Sequence, residues 1–209
     1  MVEEKIMLAI IDYGYGNVRS LQNSLTYIGY DSIITSDPEQ IKDAKKLLLP
    51  GVGAFRDAIN ALHKTDLVGL LNEEVLEKKK PVLGICLGMQ LMAKKSYEHG
   101  EFSGLGWFDS EVVKIETNEN LKVPHVGWNN IVSKNSEWLF SGIPENGSDF
   151  YFVHSYYMKC RNIIDISSVT NYGLDLTASV CKENITATQF HPEKSQDNGL
   201  KLLENWLNR

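Results

Sequence analysis

Residues 81–90 read Pro-Val-Leu-Gly-Ile-Cys-Leu-Gly-Met-Gln, with Cys86 held between Gly84 and Gly88. Residues 81–85 form a short apolar run of the kind that makes a strand buried on both faces, and a helix is predicted from near Met89. The pentapeptide Gly84-Ile85-Cys86-Leu87-Gly88 has the glycine–x–nucleophile–x–glycine form of a nucleophile elbow, with cysteine in the nucleophile's place. A nucleophile on a strained strand-to-helix turn needs neighbours without side chains, because strand and helix must approach closely there. A strand that passes directly into a helix is the unit of an α/β sheet, so the flanking segments decide how far that pattern extends.

Toward the N-terminus it extends through the whole first half. Residues 7–11, 32–35 and 46–49 are strand-like apolar runs. Between them Val18, Leu21, Leu25 and Ile28 recur at helical spacing behind a possible N-cap, Asn17. Phe55, Ala58, Ile59 and Leu62 make a second helical stripe, and Leu67, Leu70, Leu71 and Val75 a third. Such alternation predicts a mostly parallel central sheet flanked by helices. The second half instead offers short strands at 111–115, 129–132, 150–153, 164–169, 178–181 and 186–190. Turns such as Gly142-Ile143-Pro144 and Asn146-Gly147 separate them, and a closing helix spans 198–207. Additional antiparallel strands are therefore expected there. There is no repeat, low-complexity tract or linker, so residues 1–209 are expected to form one domain. The run Lys78-Lys79-Lys80 is expected to be a solvated helix end.

Composition narrows the function. A net charge of -6 disfavours general nucleic-acid binding, which needs clustered lysine and arginine. No apolar run approaches bilayer length, so no membrane partner is expected. Cys86, Cys160 and Cys181 are odd in number and lack a C-x-x-C pair. That disfavours a disulfide framework or structural zinc and points to a reducing cytoplasm.

At the elbow, the N–H groups of the following helix favour a thiolate, and the Leu87 amide is a natural oxyanion donor. The alternative is a buried structural cysteine at a tight turn. Cys160 and Cys181 have no such setting and read as inert core thiols. A thiol also needs a base, and His191-Pro192-Glu193 offers one. In an extended segment residues two apart share a side, so Glu193 can orient His191 while His191 faces the sulfur. By itself the tripeptide also reads as a surface turn. His63 and His99 look solvated, while His125 and His154 are either satisfied core residues or site neighbours. No histidine spacing suggests a metal, and no cofactor is expected. The loop Pro50-Gly51-Val52-Gly53 follows a strand and precedes a helix. It suits a second oxyanion N–H, a phosphate cradle or a simple turn. Gly14-Tyr15-Gly16-Asn17 is equally open.

Together, IIDYGYGNVRS, LLLPGVGAFRDA, VLGICLGMQLM, VPHVGWNN, DFYFVHSYY and TQFHPEKS resemble the triad-type class I glutamine amidotransferases over nearly the whole chain. The nearest resemblance is to the glutaminase subunits of imidazole glycerol phosphate synthase in histidine biosynthesis. The resemblance implies that Cys86 attacks L-glutamine, His191 shuttles protons and Glu193 orients it. Leu87 with Gly51, Val52 and Gly53 would form the oxyanion hole. Gln90, Glu98, Ser155 and Tyr156 match positions that bind substrate. The implied partner is a (β/α)8-barrel cyclase that takes up ammonia in a heterodimer, with Asn17, Trp128 and Lys194 at or near the interface.

Two departures, Trp107-Phe108-Asp109 and Glu183-Asn184-Ile185-Thr186, keep a paralogous role open, such as supplying ammonia for amidation of a surface-polysaccharide sugar. A cysteine peptidase of similar fold and an inactive regulatory subunit are further alternatives. Gln90, Glu98 and the glycine loop disfavour the first, and an intact triad disfavours the second.

Overall fold

The computed structural model describes residues 8–117, 121–144 and 148–209. Met7 and the Asn146-Gly147 turn lie outside the described residues. The first half contains strands β1 (Leu8–Ile11), β2 (Ser32–Thr35), β3 (Lys46–Gly51) and β4 (Val82–Cys86). Between them lie helices α1 (Val18–Tyr27), α2 (Pro38–Asp43), α3 (Phe55–Lys64) and α4 (Leu67–Asn72), the last continuing as a π-helical turn, Glu73–Glu77. Helix α5 (Leu87–Leu91) leaves β4 directly. Then come β5 (Ala93–Ser96), β6 (Phe102–Ser103), β7 (Phe108–Lys114), β8 (His125–Asn130) and β9 (Val132–Ser133). After β10 (Asp149–His154) and β11 (Tyr156–Cys160), strands β12 (Ile166–Asn171), β13 (Asp175–Lys182) and β14 (Ile185–Thr188) lead to helix α6 (Gln196–Leu207).

Among the described residues the main sheet has the order β2-β1-β3-β4-β14-β13-β12-β9. Its β2 to β14 part is parallel, and β13, β12 and β9 add on antiparallel. β1, β3, β4 and β14 are buried along their whole length, as a parallel sheet covered on both faces requires. Alternate side chains feed two cores. Ala9, Ile11, Leu47 and Leu49 pack with α3, α4 and α5, while Leu8, Ile10, Leu48 and Ile85 pack with α1 and α6. Each such buried leucine or isoleucine contributes about 1.5–3 kcal/mol relative to an exposed one. The stripe Phe55, Ala58, Ile59 and Leu62 falls where the periodicity puts it, all four buried, whereas Ile28 lies past the end of α1 and Leu70 is half-buried. Two smaller sheets, β11-β7-β5-β6 and the ribbon β10-β8, complete the fold.

Several segments differ from the sequence expectation. Helix α2 was not anticipated, although Asp37 caps it by accepting from the Glu39 amide at 3.0 Å and Pro38 opens it. Strands β5, β6 and β11 were likewise unassigned. The stretch 164–169 begins in a 3-10 turn, Ile163–Asp165, whose Ile163 and Ile164 are exposed. The stretch 129–132 breaks at Ile131, and 186–190 stops being strand at Thr188. The lysine run is not simply solvated. Glu74 is buried and draws Lys80 to 2.6 Å and Lys78 to 2.7 Å, because an unpaired buried carboxylate is costly.

Candidate active site

β4 ends at Cys86, whose backbone has φ 55° and ψ -110° before α5 begins at Leu87, two residues earlier than expected. Positive φ at a non-glycine residue costs about 1–3 kcal/mol and persists where the surroundings enforce it. Gly88 is part of that enforcement: a Cβ there would lie 1.8 Å from the Leu49 carbonyl oxygen of β3. The turn aims Cys86 into a cavity of about 410 Å³, lined also by Val52, Leu87, Gln90, Glu98, His154, Ser155, Tyr156, His191 and Lys194. As the first residue of α5, Leu87 has an amide outside the helical ladder. Cys86 is itself buried, whereas Cys160 and Cys181 are half-buried and lie away from this cavity. Burial pushes the Cys160 thiol up to about 12, consistent with an unreactive group.

β14 pairs with β4 in parallel, Thr188 opposite Ile85, so both strands leave the sheet at the same end. The chain then reaches His191, whose Nδ1 lies 2.7 Å from Glu193 Oε1. The cause is not the extended spacing expected. Pro192–Lys194 is a 3-10 turn, and it folds the Glu193 carboxylate back onto the ring. The His191 and Glu193 side chains are only 2% and 3% exposed. Burial opposes charge on His191, but the Cys86 sulfur and the Glu193 carboxylate outweigh it and raise the imidazole to about 10. Its other nitrogen, Nε2, is buried without a hydrogen-bond partner among the described residues.

The remaining candidates fall into three groups. Glu98 Oε2 accepts from the Phe55 amide at 2.7 Å, closing the start of α3, while Glu98 still lines the cavity. Both hydrogens of Gln90 Nε2 are engaged, one by the Tyr156 carbonyl at 2.9 Å and one by Gln189 Oε1 at 3.0 Å. Gln90 is thus left with Oε1 for a ligand. In the glycine loop, the Val52 amide donates to the Tyr15 carbonyl at 2.9 Å, so it is not presented to an oxyanion. Gly51 pairs with Cys86 across β3 and β4, and Gly53 has φ +100°. Trp128 and Lys194 converge on Tyr151, with ring centroids 6.1 Å apart for the Trp–Tyr pair and the ammonium 5.7 Å over the Tyr ring. Asn17 precedes α1 without a side-chain capping bond, and its neighbour Gly16 packs against Pro50 of the loop.

The sequence does not single out Gln189, and it leaves His154 open as a core residue or a site neighbour. Gln189 is fully buried and donates from Nε2 to Cys86 Sγ at 3.7 Å. His154 lines the cavity and is joined to His125 at 3.0 Å and to the Tyr156 carbonyl at 2.9 Å. Burial lowers His154 to about 3 and His125 to about 4, so both are neutral. For Gln189 the available signal was its place between the strand-like Thr186-Ala187-Thr188 and His191; for His154 it was the alternation of Phe150, Phe152 and His154 on one strand face.

A strained thiol and a carboxylate-oriented imidazole, delivered by an α/β sheet to one cavity, form the kind of arrangement that nucleophilic cysteine enzymes use. The family is narrower. The family model described as Glutamine amidotransferase class-I matches residues 9–209, and the chain belongs to that family. Imidazole glycerol phosphate synthase subunit HisH 1 of Campylobacter jejuni (strain RM1221) is 49% identical over 201 residues, covering 96% of this chain and 99% of that protein. Subunit HisH 2 of Methanococcus maripaludis is 46% identical over 201 residues, covering 96% and 98%. A solved structure of PurLQS from Thermotoga maritima shares the fold, with a TM-score of 0.74, 16% identity and 98% of each chain covered.

Proposed function

We propose that this chain, acting as one domain, is the glutaminase subunit of imidazole glycerol phosphate synthase, a cytoplasmic enzyme of histidine biosynthesis. The observation that carries the reading is the common cavity of Cys86 and His191, with Glu193 2.7 Å behind the imidazole. The substrate's ammonium is held by Glu98, its carboxylate end lies along Ser155 and Tyr156, and Gln90 Oε1 accepts from its carboxamide. Cys86 Sγ attacks the carboxamide carbon, and Leu87 N–H stabilises the oxyanion. His191 gives its proton to the departing nitrogen, leaving a glutamyl thioester and ammonia. Water then attacks as His191 takes a proton, and glutamate leaves as the thiolate returns. Glu193 keeps the imidazole in one tautomer throughout.

Ammonia is consumed by a (β/α)8-barrel cyclase that docks over the cavity mouth. Val52, Val126, Trp128 and Val153 are exposed there or on the adjoining ribbon, Lys194 lines the cavity beside them, and Asn17 is a further contact of the docked cyclase. An apolar collar of this kind keeps ammonia from water, where protonation would end its nucleophilicity. The test is glutamate release with and without the barrel cyclase. Release should depend on Cys86, so Cys86→Ala should abolish it; unchanged turnover in that variant refutes the mechanism. Activation by a sugar-amidating synthetase in place of the cyclase would favour the paralogous role instead.

A further inference from the structure

Two buried carboxamides, Gln90 and Gln189, stand between the Tyr156 carbonyl and the Cys86 sulfur. Their orientations follow from a chain of acceptors and donors. A backbone carbonyl only accepts, so the Gln90 atom 2.9 Å from Tyr156 O is its NH₂ group. The second hydrogen of that group points to the nearer end of Gln189, 3.0 Å away, which must therefore be Oε1. The far end of Gln189 is then its NH₂ group, 3.7 Å from Cys86 Sγ. The sulfur also lies 4.0 Å from the Val153 carbonyl, which suits an S–H but repels an anion.

We propose that Gln189 is a further catalytic residue, whose Nε2–H hydrogen-bonds the Cys86 sulfur and holds it in the anionic, attacking form. The inference rests on Cys86 being the nucleophile. A donor beside a thiolate makes a charge-assisted bond, stronger than the same donor makes to a neutral thiol. Burial strengthens it further, and Gln189 is fully buried. The bond acts twice in the cycle. It stabilises sulfur once its proton has passed to His191, and again when the thioester C–S bond breaks and sulfur takes back the electron pair. Gln90, fixed by Tyr156, keeps Gln189 from turning its oxygen toward the sulfur.

The experiment is the pH dependence of Cys86 alkylation by iodoacetamide, read by mass on the Cys86 peptide in the intact chain and in Gln189→Met. Methionine conserves length and volume but donates nothing. The midpoint should move up by about one pH unit, making alkylation below it roughly tenfold slower. The kcat for glutamate release should fall while KM stays within about twofold, since the loss concerns the reacting atom. A folded Gln189→Met with the unaltered profile overturns the proposal. If that variant does not fold, the Gln189 side-chain amide resonance in the unaltered chain decides. It should shift through the alkylation midpoint and stay flat in Cys86→Ser; a flat signal in the unaltered chain overturns it as well. Neither result bears on whether Cys86→Ala retains turnover, which tests the nucleophile itself.

Discussion

His191 Nδ1 and Glu193 Oε1 meet at 2.7 Å across a single proline, in a 3-10 turn that leaves both side chains almost wholly buried. The contact fixes which imidazole nitrogen faces Cys86. Because Glu193 can only accept when ionised, Nδ1 carries the proton and Nε2 is left for the sulfur.

Replacing Glu193 by glutamine keeps the shape but allows the wrong tautomer. The kcat for glutamate release should fall by about 10³–10⁴, with KM little changed. Steady-state kinetics check this. A loss confined to KM would assign Glu193 to substrate binding instead.

The His191 shift has a defined sign. Its imidazole rises from 6.5 to about 10 in the folded chain, so the native state holds the proton more tightly than the unfolded state. The resulting stabilisation is fully present below pH 6.5 and is lost as pH rises toward 10. Urea midpoints of the unaltered chain and His191→Asn should therefore converge across that interval. A constant difference would contradict it.

The His125–His154 pair should act in the opposite sense. Burial lowers His154 from 6.5 to about 3, so its contribution is complete above pH 6.5 and declines as pH falls toward 3. In His154→Gln the acid branch of the stability curve should be shallower than in the unaltered chain. Equal acid branches would show that the pair titrates normally.

Gly88→Ala places a methyl group 1.8 Å from the Leu49 carbonyl oxygen and 2.9 Å from its carbon. Backbone cannot swing aside as a side chain does, so β3 or α5 must move. A loss of about 3 kcal/mol is expected, or roughly 6–12 °C in Tm for a chain of this size. Calorimetry checks it, and an unchanged Tm would show that the close approach is not required.

Trp128 is 48% exposed on the ribbon face. Trp128→Ala should leave Tm nearly unchanged yet weaken cyclase binding by at least about 2 kcal/mol, roughly 30-fold, as expected for a central aromatic anchor. Titration calorimetry separates the two effects. Equal affinity would place the docking face elsewhere.

The legible part of this molecule is the part carried by neighbouring residues. The elbow at Cys86 could be read because its glycines, nucleophile and strand lie within one decapeptide. His191 and Glu193 were paired from their spacing, although the turn that joins them was not foreseen: proline permits either an extended or a helical backbone. Lys80 looked solvated because nothing nearby in sequence announces that Glu74 is buried. Gln189 was overlooked because its role depends on the Tyr156 carbonyl, which reaches it only through Gln90.

Sequence alone determined the alternation of buried strands and amphipathic helices, the cysteine at a strand-to-helix turn and the pairing of His191 with Glu193, since periodicity and steric need act within a few residues. The tertiary structure decided which strands are neighbours. Fully buried strands such as β4 and β14 carry no mark of their partner, and their parallel pairing, Thr188 beside Ile85, brings sulfur and imidazole to one end of the sheet. It also decided that the Val52 amide is held by Tyr15 and that Gln189 faces Cys86, because hydrogen-bond partners are selected by distance in space.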